Sequence, residues 1–341
     1  MGVKLREILE AQEIQKLKFL SGKAIAIDAF NTIYQFLSII RQMDGTPLMN
    51  ARGQVTSHLS GLFYRTARLY EAGIRPCYIF DGRPPDFKAV ADERASRKEA
   101  ARKKLEAARK EGDWEAVRRY SQQTAKIEPY MVEDAKELLD AMGVPWVQAP
   151  SEGEAQAAYM AAQGMVWAAA SQDFDSLLFG APQLLRNVNI TGRRKVPRRN
   201  EYMVIKPEVY DLEANLKRLG LDRRALVVLG MLVGTDYNPG GVKGIGPKKA
   251  LALVQEKGAD RALDEMEWDE AWGDKQKIVD YFMNPHVSRD VELEWKAPDM
   301  EKLKACLIAK HGFSMDRMAK TLDILEKSMG SGRQGSLDQW F

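Results

Sequence analysis

The sequence predicts an α/β protein with a mostly parallel central sheet flanked by helices. Three observations predict it. Short apolar runs near 23–28, 75–80, 144–148 and 166–170 read as buried strands. Helical stretches separate them, and strands alternating with helices favour a parallel sheet covered on both faces. Each run also ends in acid: AIAID at Asp28, CYIFD at Asp81, VPWVQAPSEGE at Glu152 and Glu154, VWAAASQDFD at Asp173 and Asp175. Strand C-termini of open α/β sheets converge on one edge, so these carboxylates become neighbours in space.

After the first strand, residues 56–72 predict an amphipathic helix, with Leu59, Leu62, Phe63, Thr66 and Leu69 on one face. The second strand runs into Gly82-Arg83-Pro84-Pro85, a rigid turn, and then a charged segment. From Lys88 to Arg119 there are eleven basic and seven acidic residues and few large apolar ones. Two readings fit: a solvated helical excursion, or an arch carrying positive charge over the acidic edge. Lys88 and Arg94, six residues apart, are close to two helical turns and would face one phosphate together. Residues 132–142 form the next helix, ended by Gly143. Glu152 and Glu154 open another, with Ser151 as the expected N-cap; acids in a first turn also suit the helix dipole without any further role.

The run from Arg186 to Arg199 holds six basic residues and no acidic one, with Thr191-Gly192 inside an expected hairpin. It reads equally as a loop touching a polyanion and as a solvated loop. From about 207 to 327 the pattern is predominantly helical. Within it, the glycine-rich run 240–250 follows a seventh acid, Asp236, and precedes an apolar helix. Gly241, Gly244 and Gly246 let backbone amides approach phosphate oxygens, a helix N-terminus adds its dipole, and Lys243, Lys248 and Lys249 supply charge. The order of a P-loop is missing, which leaves a hairpin between helices gripping duplex backbone, or a plain helix–helix turn.

Seven acids at one edge repel one another and stay ionised only where a cation holds them. All-oxygen ligation suits two Mg²⁺ ions, with Mn²⁺ as a substitute. Two such ions about 4 Å apart would hold a scissile phosphodiester for attack by water. His58, His286 and His311 all lie away from the strand-end acids in sequence, so core or surface roles are expected for them. Composition agrees with a globular chain: 341 residues, 45% hydrophobic, 29% charged, net charge +3. Any affinity for nucleic acid then rests on local basic patches. Two cysteines, Cys77 and Cys306, without metal-ligand spacing predict core residues in a reducing, cytoplasmic setting. The absence of an 18-residue apolar run and of a secretory pattern at the N-terminus predicts no membrane contact.

Six blocks, IAIDAFNTIYQFL, TSHLSGLFYRT, CYIFDGRPPDFK, APSEGEAQAAYM, ASQDFDSLLFG and LVGTDYNPGGVKGIGPKKAL, occur in the order of the signatures of structure-specific 5′ nucleases. The chain resembles, over its whole length, the archaeal flap endonucleases. The resemblance implies a resolvase/PIN-like core with a helical arch and a helix-two-turn-helix DNA-binding motif. It places the seven acids at the metal-ligand positions, and Lys88 and Arg94 on the scissile phosphate, Arg97 competing with Arg94 because the spacing is a residue short. It also implies that Tyr34 stacks on a base, that Arg41, Leu48, Thr56 and Arg65 surround the 3′ flap and duplex, that Gly2 lies near the active site, and that the glycine-rich turn binds K⁺. The expected organisation is one nuclease domain, 1–326, with an N-terminal region 1–105, an arch 84–130, an internal region 131–235 and helices 236–326.

Residues 327–341 read as a flexible Gly/Ser-rich tail, yet it ends in anchors. Gln334, Leu337, Trp340 and Phe341 have the spacing of sliding-clamp-binding peptides, an aliphatic and two aromatic side chains on one turn. The expected activity is cleavage of branched DNA (5′ flaps, overhangs, nicked or gapped duplex) by a monomer docked on a sliding clamp, in Okazaki-fragment maturation and repair. A gap, 5′–3′ exonuclease or bubble-cutting relative, and a non-catalytic junction binder lacking a metal ligand, are the alternatives.

Overall fold

The computed structural model describes residues 2–42, 44–85, 100–101, 103–108, 110–189, 192–195 and 202–330. Lys88, Arg94, Arg97, Gln334, Leu337, Trp340 and Phe341 lie outside these residues.

A seven-stranded sheet runs in the order β1-β9-β6-β5-β2-β3-β4. Its centre is parallel: β2 (Ala24–Asp28) pairs with β3 (Arg75–Phe80) on one side and β5 (Ala168–Ala170) on the other, β3 with β4 (Trp146–Gln148), and β5 with β6 (Gln183–Arg186). At the far edge β9 (Glu208–Asp211) and the two-residue β1 (Gln12–Glu13) run antiparallel to their neighbours. A separate hairpin joins β7 (Gly192–Lys195) to β8 (Tyr202–Ile205), so Gly192 opens a strand within the expected hairpin.

Alternation along the central strands builds two cores. Ala24, Ala26, Cys77, Ile79, Ala169 and Leu184 enter one cluster. Ile25, Ile27, Tyr78, Phe80, Ala168, Ala170 and Leu185 enter the other. Side chains two residues apart share a face, which is why strands read as continuous apolar runs when helices cover both sides. On the second face lie α1 (Ala29–Ile39) and α2 (Ser57–Glu71). The α1 residues Ala29, Thr32, Ile33, Phe36 and Leu37 are buried at helical spacing.

Residues 103–108 are helical and, with α3 (Trp114–Gln123), enclose a small core of their own, Leu105, Ala108, Ala116 and Val117. The chain returns to the sheet through α4 (Pro129–Ala141), which ends before Gly143 at φ 67°. Next come α5 (Gly153–Ala162) and the single-turn α6 (Asp175–Leu178). The N-cap of α5 is Glu152, not the expected Ser151. The Ser151 hydroxyl is engaged instead with the Tyr281 hydroxyl at 2.7 Å.

The C-terminal part carries α7 (Leu212–Leu219), α8 (Arg223–Val233), α9 (Pro247–Lys257), α10 (Ala259–Glu265), α11 (Lys275–Met283), α12 (Met300–Lys304), a π-turn segment Ala305–Lys310 and α13 (Met315–Gly330). It is not helical throughout. Val209 and Tyr210 are buried on β9, and residues 284–299 lack helix because Pro285 and Pro298 interrupt the pattern. That stretch is tied across the molecule by Trp295 Nε1 to Pro76 O (2.7 Å), Lys296 N to Gly143 O (2.9 Å) and Asp299 N to Ala141 O (2.9 Å). Among the described residues no helix is long and apolar enough to cross a membrane.

Candidate active site

Strand β2 pairs with β3 and β5, which lie at opposite sides of it, so its C-terminal end is a topological switch point. Asp28 ends β2 and is the N-cap of α1, its Oδ1 accepting the Asn31 N–H at 2.9 Å. Asp81 follows β3, and its Oδ1 accepts the Gly153 N–H at 2.6 Å. A side chain on Gly153 would place Cβ 2.7 Å from that oxygen, so glycine is what lets the α5 N-terminus approach it. Glu152 and Glu154 flank Gly153, and Glu154 Oε1 accepts the Ser171 hydroxyl at 2.7 Å. Asp173, in the turn after β5, takes the Asn31 side-chain amide on Oδ2 at 3.0 Å. Asp175 opens α6, and its Oδ1 accepts the Val3 N–H at 2.9 Å. Asp236 follows α8, and the buried hydroxyl of neighbouring Tyr237 faces Glu152.

Each of the seven acids repels at least one other of the set. Asp28 feels Asp81 and Asp173; Glu154 feels Asp175, Asp173 and Asp28; Asp175 feels Asp173, Asp236 and Glu152. Burial first, and then this repulsion, pushes the Asp28 and Glu154 carboxyls well above the usual range and Asp175 up to about 7. Asp28 is 8% and Asp175 7% exposed. Carboxylates so placed are poor hosts for their own charge and good hosts for a cation.

The donor set fits hard divalent ions: oxygen only, several oxygens already oriented by backbone or side-chain donors. Among the described residues no three carboxylates, histidines or cysteines are closed tightly enough to hold an ion by themselves. Mg²⁺ takes one or two carboxylates per ion and keeps several waters, so an open arrangement suits it. His58 and His311 are buried, 0% and 2% exposed, with Asp134 as their shared acidic neighbour, and Cys77 and Cys306 are buried free thiols.

Gly2 lies against the site, its added Cβ falling 2.5 Å from Asp173 Cβ and 3.0 Å from Asp175 Oδ2. Tyr34, on α1, is 40% exposed. Arg41 Nη1 donates to Gly45 O at 2.9 Å, Leu48 N to the Ser57 hydroxyl at 2.9 Å, and Thr56 N to Leu48 O at 2.7 Å, so these residues belong to one loop closed onto the start of α2. Arg65, on α2, donates to Asn189 O beside the hairpin. Beyond Asp236, Gly240, Gly241 and Gly244 hold φ of 85°, 59° and 79°, which allows a tight turn between α8 and α9. Lys243, Gly244, Gly246, Lys248 and Lys249 are exposed there, Gly241 is half-buried, Gly246 caps α9, and Lys249 Nζ donates to Gly244 O at 3.2 Å.

Three residues of the site carried no signal of their own in the sequence: Asn31, Ser171 and Tyr237. Each is recognisable only from the carboxylate it touches.

The XPG N-terminal domain family matches residues 1–105 and the XPG I-region matches residues 143–236. Flap endonuclease 1 of Hyperthermus butylicus is 54% identical over 100% of this chain and 99% of its own length; that of Pyrococcus furiosus is 52% identical over 100% and 99%. Among solved structures, flap endonuclease-1 from Methanococcus jannaschii superposes with a TM-score of 0.77 at 39% identity, covering 97% of this chain and 99% of that one. The catalytic core of Rad2 in complex with DNA substrate gives 0.66 at 25% identity, covering 94% and 97%. With a carboxylate edge of this composition on this sheet and full-length relatives at these identities, the chain belongs to the flap endonuclease family, within the XPG nucleases.

Proposed function

We propose that this chain is a structure-specific 5′ flap endonuclease, with 5′–3′ exonuclease activity, that hydrolyses DNA phosphodiesters at flap junctions in Okazaki-fragment maturation and repair. The observation that carries this reading is the convergence of seven carboxylates from five separate segments on one sheet edge. Asp28, Asp81, Glu152, Glu154, Asp173, Asp175 and Asp236 would hold two Mg²⁺ ions, or Mn²⁺ in their place. Bound there, the ions would polarise the scissile phosphodiester and its attacking water and offset charge on the leaving oxygen.

The remaining work falls to the chain's own residues. Lys88 and Arg94, or Arg97 in its stead, would approach the scissile phosphate from an arch spanning 84–130. Tyr34 is exposed on α1, the helix that Asp28 caps, and offers a stacking face to an unpaired base. Arg41, Leu48, Thr56 and Arg65 would bind the 3′ flap and adjoining duplex. Gly241, Lys243, Gly244, Gly246, Lys248 and Lys249 would hold duplex phosphates and a K⁺ ion at the helix-two-turn-helix. These contacts address backbone and branch geometry and carry no base code, as expected of an enzyme selective for structure.

One nuclease domain, 1–326, and a clamp-binding tail, 327–341, make up the proposed organisation, acting as a monomer in an archaeal cytoplasm. Cleavage of a labelled double-flap DNA with Mg²⁺ tests the assignment. The wild type is expected to cut at the junction, and Asp175→Ala to bind the flap without cutting; binding without cutting by the wild type would favour a junction-binding protein. Removing residues 331–341 is expected to leave that cleavage intact and to abolish its stimulation by a sliding clamp.

A further inference from the structure

Asn31 touches two of the acids at once. Its backbone N–H donates to Asp28 Oδ1 at 2.9 Å and its side-chain amide to Asp173 Oδ2 at 3.0 Å. Asp28 and Asp173 come from segments 145 residues apart in the chain and repel each other electrostatically. A carboxylate accepts and cannot donate, so the bond to Asp173 identifies the Asn31 nitrogen as the group facing it. Asn31 stands at N3 of α1, where a Glu or Gln would complete a capping box with the N-cap. A Glu there would add an eighth negative charge to the edge. The neutral side-chain amide instead donates to Asp173, while the backbone N–H of the same residue donates to Asp28.

We propose that Asn31 is a positioning residue for the metal centre: it fixes the plane of the Asp173 carboxylate and its approach to Asp28, so that their remaining oxygens face the ions. This rests on the reading that Asp173 and Asp28 are metal ligands. Asp173 is braced from a second side, its N–H donating to the Ser171 hydroxyl at 3.1 Å, and the same hydroxyl donates to Glu154. Among the described residues, only Asn31 bonds to both Asp173 and the strand-end acid of β2. Removing a partner that orients a metal-bound carboxylate commonly costs about 10- to 100-fold in metal affinity or activity.

The test is calorimetric titration of Mn²⁺ into the DNA-free full-length protein, for the wild type, Asn31→Leu, Asp173→Asn and the double variant. Asn31→Leu is expected to weaken Mn²⁺ binding by about tenfold, to lower kcat on a flap substrate with KM unchanged, and to leave the metal-free Tm near that of the wild type. The double variant is expected to bind no more weakly than Asp173→Asn, because coupled neighbours do not add. Asn31→Ser, which suits a first helical turn, is expected to match Asn31→Leu and guards against a packing defect. Wild-type Mn²⁺ affinity in both Asn31 variants, or fully additive losses, would overturn the proposal. If Asp173→Asn itself bound Mn²⁺ like the wild type, the metal-ligand reading beneath it would fall instead.

Discussion

His58 offers a sharp test of the core beneath α2. It lies in the first turn of that helix, fully buried, and neither ring nitrogen has a hydrogen-bond partner among the described residues. Burial pushes its pKa down from 6.5 to about 4, against an opposing pull from Asp134 and with a further push from His311. The folded state therefore binds fewer protons than the unfolded chain between pH 6.5 and 4. Stability from this group is fully present above pH 6.5 and is lost as pH falls toward 4. Proton linkage gives a loss of about 0.1 kcal/mol at pH 7.5, about 1.4 kcal/mol at pH 5.5 and about 2.5 kcal/mol at pH 4.5. The perturbation is His58→Leu, similar in volume and untitratable, with the unfolding free energy measured by denaturant titration in EDTA at those three pH values. Asp134 accepts from Lys310 Nζ at 2.8 Å, a contact that the substitution does not touch. The gap between variant and wild type is expected to shift in the variant's favour by about 2.5 kcal/mol from pH 7.5 to pH 4.5. A constant gap across the series would refute the reasoning, since it would mean His58 titrates in the folded protein as it does in water.

The site makes further predictions. Asp175→Asn keeps an acceptor for Val3 N–H and removes a repelled, buried charge, so without metal at pH 8 it is expected to raise Tm while abolishing cleavage; a lower Tm in EDTA would contradict the electrostatics. The folded-state pKa of Asp175 is raised, so this gain should shrink as pH falls below about 7. Gly153→Ala puts a methyl against Asp81 at a helix start, and is expected to cost about tenfold or more in kcat with Tm within a few degrees, read by single-turnover cleavage and calorimetry. Lys248→Ala with Lys249→Ala is expected to lower the slope of log affinity against log salt by about two for a duplex-containing substrate, measured by anisotropy in Ca²⁺.

How much of this was legible in the sequence follows from what each feature depends on. The central strands and their acids were legible because burial on both faces writes an unbroken apolar run, and a charge at its end has nowhere to go but the sheet edge. The strands on the β1 side of the sheet were not: β1 is two exposed residues, and β6 and β9 mix polar and apolar positions in QLLR and EVYD. Their strand character comes from pairing with one another and, for β6, with β5. Residue type favours Ser151 as the cap of α5, one residue before the observed Glu152, yet its hydroxyl is taken by Tyr281, from a helix 130 residues away. The bonds from Val3 to Asp175 and from Asn31 to Asp173, over 172 and 142 residues, leave no periodicity to read.

The same contacts explain why the innermost elements are built from small residues. Strand β5 is three alanines, and the helix packed on it, α5, buries Ala155, Ala157, Ala158 and Ala161. Small side chains let helix and strand approach closely, which brings the α5 N-terminus, with Glu152 and Glu154, to the Asp173–Asp175 turn that leaves β5. The Ser171 bridge between Glu154 and the Asp173 backbone spans only that gap. Bulkier apolar residues here would bury more surface, yet they would lift α5 from the sheet and separate the carboxylates. The alanine interface thus gives up hydrophobic stabilisation, about 25 cal/mol for each Å² not buried, and the crowded carboxylates give up more. A cation entering the cluster would offset the repulsion among the carboxylates, so metal binding is expected to raise the stability of this half of the sheet.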